Sequence, residues 1–262
     1  MAKKLYVGVT SYARQVKGMY IGVGGVARKV KKAYIGVNGV ARLFWSNGLP
    51  LSSLPEGALV KINENGSGVN FYLAKHDYES GLNGSGRTLF VRQNCYNTRT
   101  WGITTNFYPN SGVNTLLNGT YKSLLDANVQ ELIGKTKFYY TPANGNDALS
   151  SMECPVFLLS LTELNSKNHL GSGNVEGSAL PIANTLWIAN YNDADTKQWP
   201  RTPCTGTKIS VFVFQSNGYA VTSNVHYNSS DVYGVRPCFT LPNTLLVDST
   251  PNADGSYNLI LE

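Results

Sequence analysis

The side chains that could do chemistry are few and scattered. The three histidines, His76, His169 and His226, are too far apart for any two to share one helix face, so a zinc pair of the H-E-x-x-H kind is absent. Each reads as a loop or surface residue. The four cysteines, Cys95, Cys154, Cys204 and Cys238, form no C-x-x-C motif, which removes the zinc-ribbon and redox readings. Two long-range disulfides and four buried thiols both fit. No G-x-S-x-G elbow occurs. Gly66-Ser67-Gly68 and Gly84-Ser85-Gly86 sit among asparagines in hairpin-like loops, and neither opens a helix that would cradle phosphate. Asp193 and Asp195 offer oxygens of the kind calcium takes, but the glycine and distal glutamate of an EF-hand are missing, and an Asx turn is the simpler reading. Sixteen acidic residues are present, and spacing singles out no pair as the acid and base of a glycosidase. The expectation is a chain that is not an enzyme, with no cofactor and no metal.

The elements that would position such side chains are β-rich and turn-rich. Gly, Asn, Ser and Tyr are abundant and charged residues make up only 15% of the 262 residues, a mix that suits turns and adaptable contact surfaces. Residues 1–45 hold nine Lys/Arg and no Asp/Glu, leaving 13 basic and 16 acidic residues, a net of −3, for the rest. Those charges lie inside a repeat rather than a bare basic tail, so nucleic acid is not the expected partner. The repeat is Leu5-Tyr6-Val7-Gly8-Val9, Met19-Tyr20-Ile21-Gly22-Val23 and Ala33-Tyr34-Ile35-Gly36-Val37, each copy running on to Ala-Arg, with a period of 14 residues. Gly24-Gly25 and Asn38-Gly39 are tight-turn signals, so the pattern predicts three β-hairpins or a small meander. One hairpin cannot bury its own apolar face, which points to attachment or oligomerisation.

Residues 46–55 read as a linker and 56–262 as the main domain. Strands are expected at Ala58–Ile62, Val69–Ala74, Thr88–Arg92, Phe138–Tyr140, Val156–Leu159, Ile209–Phe214 and Tyr219–Thr222. Helices are expected from the apolar spacing of Leu116, Leu117, Tyr121, Leu124 and Leu125, and from the capping box Ser160-Leu161-Thr162-Glu163. No apolar run reaches the ~18 residues of a membrane span, and no secretory leader follows the charged N-terminus, so neither membrane insertion nor a signal peptide is expected.

Five segments occur in a recognisable order: Leu-Pro-Glu-Gly-Ala-Leu-Val-Lys-Ile (54–62), Asn114–Tyr121, Val156–Ser160, Trp199-Pro200-Arg201-Thr202-Pro203 and Gly234-Val235-Arg236-Pro237. Together they resemble the DUF6273-type domain of bacterial and phage proteins. That domain resembles in turn the C-type-lectin-fold variable proteins diversified by retroelements. The resemblance implies an α+β fold, a C-type-lectin-like domain preceded by the hairpin module. It also implies a receptor- or ligand-binding role on a phage tail or a bacterial cell surface. The partners would be a host-cell surface protein or glycan, and tail or particle proteins through residues 1–45, with a homo-oligomer left open. The alternatives are a host-encoded adhesin of the same fold and a glycan-acting enzyme. In such proteins the exposed, diversified positions lie between the W-x-R-[ST]-P and G-V-R-P elements, here Cys204–Tyr233. The contact residues expected there are Lys208, Ser210, Phe212, Phe214, Tyr219, Ser223, Asn224, His226, Asn228 and Tyr233, with Ile209, Val211 and Val213 in the core. Trp199, Arg201 and Arg236 are assigned to the scaffold. The lectin calcium motifs Glu-Pro-Asn and Gln-Pro-Asp are absent.

Overall fold

In this computed structural model the residues described are 5–9, 12–16, 18–30, 32–46, 48–102, 105–143, 148–167, 175–208, 210–224 and 231–261. The 14-residue repeat forms three separate two-stranded hairpins: β1 (Tyr6–Val9) with β2 (Tyr12–Gln15), β3 (Met19–Val23) with β4 (Val26–Val30), and β5 (Lys32–Val37) with β6 (Val40–Ser46). Gly24-Gly25 and Asn38-Gly39 make two of the turns with both residues at positive φ, the geometry that matches strand twist in a tight hairpin.

The centre of the remaining chain is a seven-stranded sheet. Its strands are β7 (Gly48–Pro50), β8 (Leu59–Glu64), β9 (Ser67–His76) and β10 (Arg87–Arg92), with β19 (Cys238–Pro242), β20 (Leu246–Asp248) and β21 (Tyr257–Ile260) from the C-terminal end. The order is β19-β10-β9-β8-β21-β20-β7. Asn65-Gly66 turns β8 into β9, and β21 slots in parallel to β8, with Tyr257 opposite Val60. The segment 46–55 is thus not wholly a linker: β7 pairs with β20, and Leu51 and Leu54 are buried.

Between β10 and β19 the chain builds the rest of the body from short pieces: β11 (Asn97–Arg99), β12 (Thr136–Tyr140), β13 (Ser150–Cys154), β14 (Asn190–Tyr191), β15 (Ala194–Asp195), β16 (Ser210–Phe214), β17 (Ala220–Asn224) and β18 (Tyr233–Val235). β18 pairs with β11, whereas β19 belongs to the large sheet, so the chain changes sheets at Arg236-Pro237. Pro cannot donate to a ladder, which fits that break.

The α+β expectation is corrected. Strands account for 42% and helices for 15%, a mostly-β fold, and no match to a lectin fold supports the finer assignment. The helical spacing at 116–125 yields only α2 (Gly112–Leu116), one π-helical turn (Leu117–Tyr121) and one 3-10 turn (Lys122–Leu124); α1 (Ser80–Asn83) and α3 (Ala127–Leu132) are one or two turns long. The capping box at Ser160 does close: Ser160 N–H donates to Glu163 Oε2 (2.8 Å) and Glu163 N–H to Ser160 Oγ (3.1 Å). The chain then leaves helical geometry at Asn165, φ 49°. Val156–Leu159 is not a strand beyond a single bridge from Phe157 to Cys238. Among the described residues no helix is long and apolar enough to cross a membrane.

All four cysteines are free and buried. Burial raises every thiol, Cys95 to about 11 and Cys154 and Cys204 to about 12.

Candidate functional site

The family-type motifs converge on the interior. Arg201 is fully buried. Its guanidinium donates to Glu163 Oε2 (2.7 Å), to the carbonyls of Tyr139 (2.9 Å) and Leu158 (2.8 Å), and more distantly to that of Glu176, and it lies 4.7 Å from the Phe138 ring centroid. Tyr78 Oη donates to Glu163 Oε1 (2.5 Å). Burial, then the neighbouring Glu163 charge, holds this phenol well above its ordinary range. Glu176, also fully buried, accepts from Thr141 N–H (2.6 Å) and Thr202 Oγ1 (2.6 Å). A buried charge is tolerated only when it is paired and its remaining donors or acceptors are met, and this cluster meets that condition.

Glu79 is the exception. It sits at φ 45°, and among the described residues no donor reaches its buried Oε1. A Cβ built on Gly177 would lie 3.0 Å from that oxygen and 3.4 Å from Glu163 Oε1, so Gly177 is what lets the two carboxylates flank the loop. Desolvation first, then Glu163, raises the Glu79 carboxyl above its ordinary value of 4.5; Lys75 and Arg201 oppose the shift. A pKa raised in the folded state means stability that is full when the group is protonated and lost as pH rises through the folded pKa. Glu79→Gln should therefore raise the melting temperature at pH 7, with the gain shrinking toward zero as pH falls below 4.5. Thermal melts of both proteins from pH 4 to 8 would check this; a constant or negative difference would contradict it.

Trp199 and Arg236 complete the frame. The Trp199 indole donates to the Arg99 carbonyl (2.9 Å) and packs edge-on against Trp101 and Tyr233. Arg236 donates to three carbonyls, those of Arg92 (2.7 Å), Gln93 (2.6 Å) and Leu186 (2.5 Å). A third arginine, Arg92, pairs with Glu64 (2.9 Å), which also accepts from Tyr121 Oη (2.6 Å). Sequence reading named Arg201, Arg236 and Trp199 but missed Tyr78, Glu79, Glu64 and Glu176, whose partners lie far along the chain and leave no local signal.

The hairpin β16–β17 divides the expected contact residues sharply. Ser210, Phe212 and Phe214 are corrected to the interior: they are 5%, 8% and 0% exposed. Val211 and Val213 are buried too, because β16 is an inner strand. β17 flanks one edge, bridges to Gln198 and Pro203 flank the other, and both faces are covered. Ile209, His226 and Asn228 lie outside the described residues, as do the side chains of Ser223 and Asn224. Lys208 is exposed. Tyr233 is half-buried on Trp199, with rings 4.8 Å apart.

Tyr219, just before β17, and Val221, within it, are 45% and 39% exposed, while Ala220 between them is buried. Two residues not expected from the sequence join them. Lys167 Nζ lies 4.8 Å from the Trp187 ring centroid and 4.9 Å from that of Tyr219, and donates to the Asn217 carbonyl (2.8 Å). The Trp187 indole donates to the Leu164 carbonyl (2.8 Å) and covers Gly218, where an added Cβ would meet ring atoms at 2.6 Å. Gly218 also has φ 84°, so both the turn and the close indole require glycine. The hairpin tip is thereby fixed, with Ile188 exposed beside Trp187 in the chain.

Two depressions of about 440 Å³ and 430 Å³ lie elsewhere. One is lined by Leu132, Leu245 and Ile260, the other by Lys61, Asn70, Gln93 and Asp254, and neither takes a residue from 204–233. Among the described residues no group of three His, Cys, Asp or Glu is placed to hold a metal ion. Asp193 lies in the β14–β15 turn, where it and Asn192 have positive φ, and Asp195 lies in β15, opposite Asn190.

No curated protein and no solved structure matches this chain. The motif at 54–62 lies outside residues 85–243, the stretch that a family model matches. The family described as a domain of unknown function, DUF6273, matches residues 85–243, more than half of the chain, and the chain belongs to that family.

Proposed function

We propose that the chain is a ligand-binding protein, not an enzyme, that holds the β16–β17 tip and the loops beside it against a foreign macromolecular surface. The observation that carries this reading is the division of the hairpin: an inner strand sealed on both faces, and a turn and outer strand that leave Tyr219 and Val221 exposed, Tyr219 beside Lys167 and Trp187. Aromatic side chains held rigid at small entropic cost are the usual anchors of such contacts. The buried ionic cluster supports the reading from the other side, since, Glu79 apart, its charges are spent on backbone groups, hydroxyls and one another. The patch lines neither of the two depressions, and exposed aromatic and apolar side chains outside a pocket suit a protein or glycan better than a small molecule. In this reading residues 1–45 attach the protein to a phage tail or related particle, or to a cell surface. The 204–233 segment is diversified by a retroelement, with variation confined to outward positions and sparing Ser210–Phe214.

The test uses intact bacterial cells and an immobilised glycan array as probes. The unaltered protein should be retained by at least one of them, and Tyr219→Ala with Val221→Ser should weaken retention about 30-fold, the loss of a hot spot near 2 kcal/mol, with an unchanged melting temperature. Equal retention of the variant would sink the reading. For diversification, the genome should carry an imperfect copy of these codons, altered at adenines, beside a reverse-transcriptase gene.

A further inference from the structure

The outer face of the large sheet is grooved. Val60, Ile62 and Phe71 are buried in the core, and Lys61 and Asn70, which alternate with them and lie opposite one another, point the other way. The 430 Å³ depression lies over Asn70, between Lys61 and Asp254 on one side and Gln93 and Asn94 on the other. It adjoins a smaller hollow of about 180 Å³ lined by Asn63, Asp126 and Asn258, and Lys61 and Gly68 line both. The two follow one another from the end of β10 over β9 and β8 to β21, where Asn258 neighbours Lys61. The larger one alone falls within the roughly 300–1,000 Å³ of small-ligand sites.

The groups that line this trough decide what it can hold. Lys61 Nζ meets Asp254 Oδ2 at 2.8 Å and Arg92 pairs with Glu64, so the larger depression presents no net charge. Asp126 accepts from Asn63 Nδ2 (2.8 Å) and meets no cation among the described residues, so the smaller hollow repels an anion. What remains free are primary amides. Gln93 Nε2 reaches only Tyr72 Oη, at 3.5 Å, and Asn94 Oδ1 takes only the Asn190 N–H, at 3.4 Å, both at the weak end of hydrogen bonding. Asn70 Oδ1 is buried with no donor among the described residues. Native proteins leave few buried acceptors unmet, and the soft χ2 of asparagine lets this one turn toward the trough. The Asn70 amide also bonds Asp254, which keeps Lys61 and Ser256 as donors when the amide turns.

We infer that the trough binds a neutral oligosaccharide, two or more sugar units lying across β9 and β8. A sugar hydroxyl both donates and accepts, and so does a primary amide. An anion would find no free cation there, a cation would engage Asp126 and leave the amides unused, and an apolar ligand would find only Val69 in the larger depression. None of these residues belongs to the β16–β17 hairpin, so the inference does not rest on the surface proposed above.

Chemical-shift titration of the full chain with glucose, galactose, N-acetylglucosamine, maltose, lactose and chitobiose tests it. At least one disaccharide should move the side-chain amide signals of Gln93 and Asn94 saturably, with a Kd of about 1 mM and about tenfold tighter than its monosaccharide. Gln93→Ala should weaken that disaccharide about tenfold. Gly68→Val sets a side chain where the two hollows meet, and a Cβ there makes only ordinary contacts, the nearest with Lys61 Cδ at 3.5 Å. It should reduce the disaccharide to the affinity of the monosaccharide, with the main melting transition in place in both variants. Tyr219→Ala with Val221→Ser should bind the sugars as before, which separates the two surfaces. No saturable shift from any of the six sugars, unchanged binding in both Gln93→Ala and Gly68→Val, or tighter binding of galacturonate than of galactose would each overturn the inference.

Discussion

Replacing Arg201 with methionine is expected to cost about 3–5 kcal/mol of stability, the range for removing one partner of a buried ion pair. The loss has two sources. Glu163, fully buried, keeps its charge with only Tyr78 and the Ser160 N–H as donors, and the carbonyls of Tyr139 and Leu158 lose theirs. At roughly 2–4 °C per kcal/mol for a domain of this size, the melting temperature should fall by roughly 6–20 °C. Adding Glu163→Gln to Arg201→Met should restore part of the loss, because the orphaned charge is gone. A double-mutant cycle by thermal or urea denaturation would read that coupling, and strict additivity of the two changes would argue that the pair does not act as a unit.

The second large effect is expected at Gly234, inside the Gly-Val-Arg-Pro element. A Cβ there would lie 2.3 Å from Cys95 Sγ and 3.1 Å from Thr196 Cγ2. The position has no room to yield, since Gly234 N–H donates to the Lys197 carbonyl and the Gly234 carbonyl accepts from Trp199 N–H. Gly234→Ala should therefore destabilise by about 1–3 kcal/mol, as overpacking does. The sulfur is the main obstacle, so Cys95→Ala in the same chain should recover most of the loss, while Cys95→Ala alone leaves a small cavity. If urea melts show Gly234→Ala to be neutral, the packing described around β18 is wrong.

What the sequence made legible was local. Gly24-Gly25 and Asn38-Gly39 each name a turn whose backbone only a few residues can adopt, and both turns are found. The capping box closed as its spacing demands, but no helix follows it: residues 161–165 form a turn. The apolar spacing at 116–125 fits a helix face and gives only a short, broken one, because a period says which residues are buried and not how long the element runs. The residue types of a contact surface pointed to Tyr219, which is 45% exposed. Alternation misled at Ser210, Phe212 and Phe214, because it presumes one wet face, and β16 has none. That strand is sealed by Gln198–Pro203 on its far edge, a long-range pairing that no window of sequence contains. Lys167 and Trp187 were missed for the same reason.

The placement of β21 bears on how the body comes into being. Val60, near the start of the large sheet, is the neighbour of Tyr257, and β21 stands between β8 and the β20–β7 pair. Val60 and Tyr257 are 197 residues apart, and the early strands keep their apolar sides uncovered until that contact forms. Folding should be slow, dominated by the search for that distant contact, and the period of waiting is when the chain is most exposed to misassembly or proteolysis.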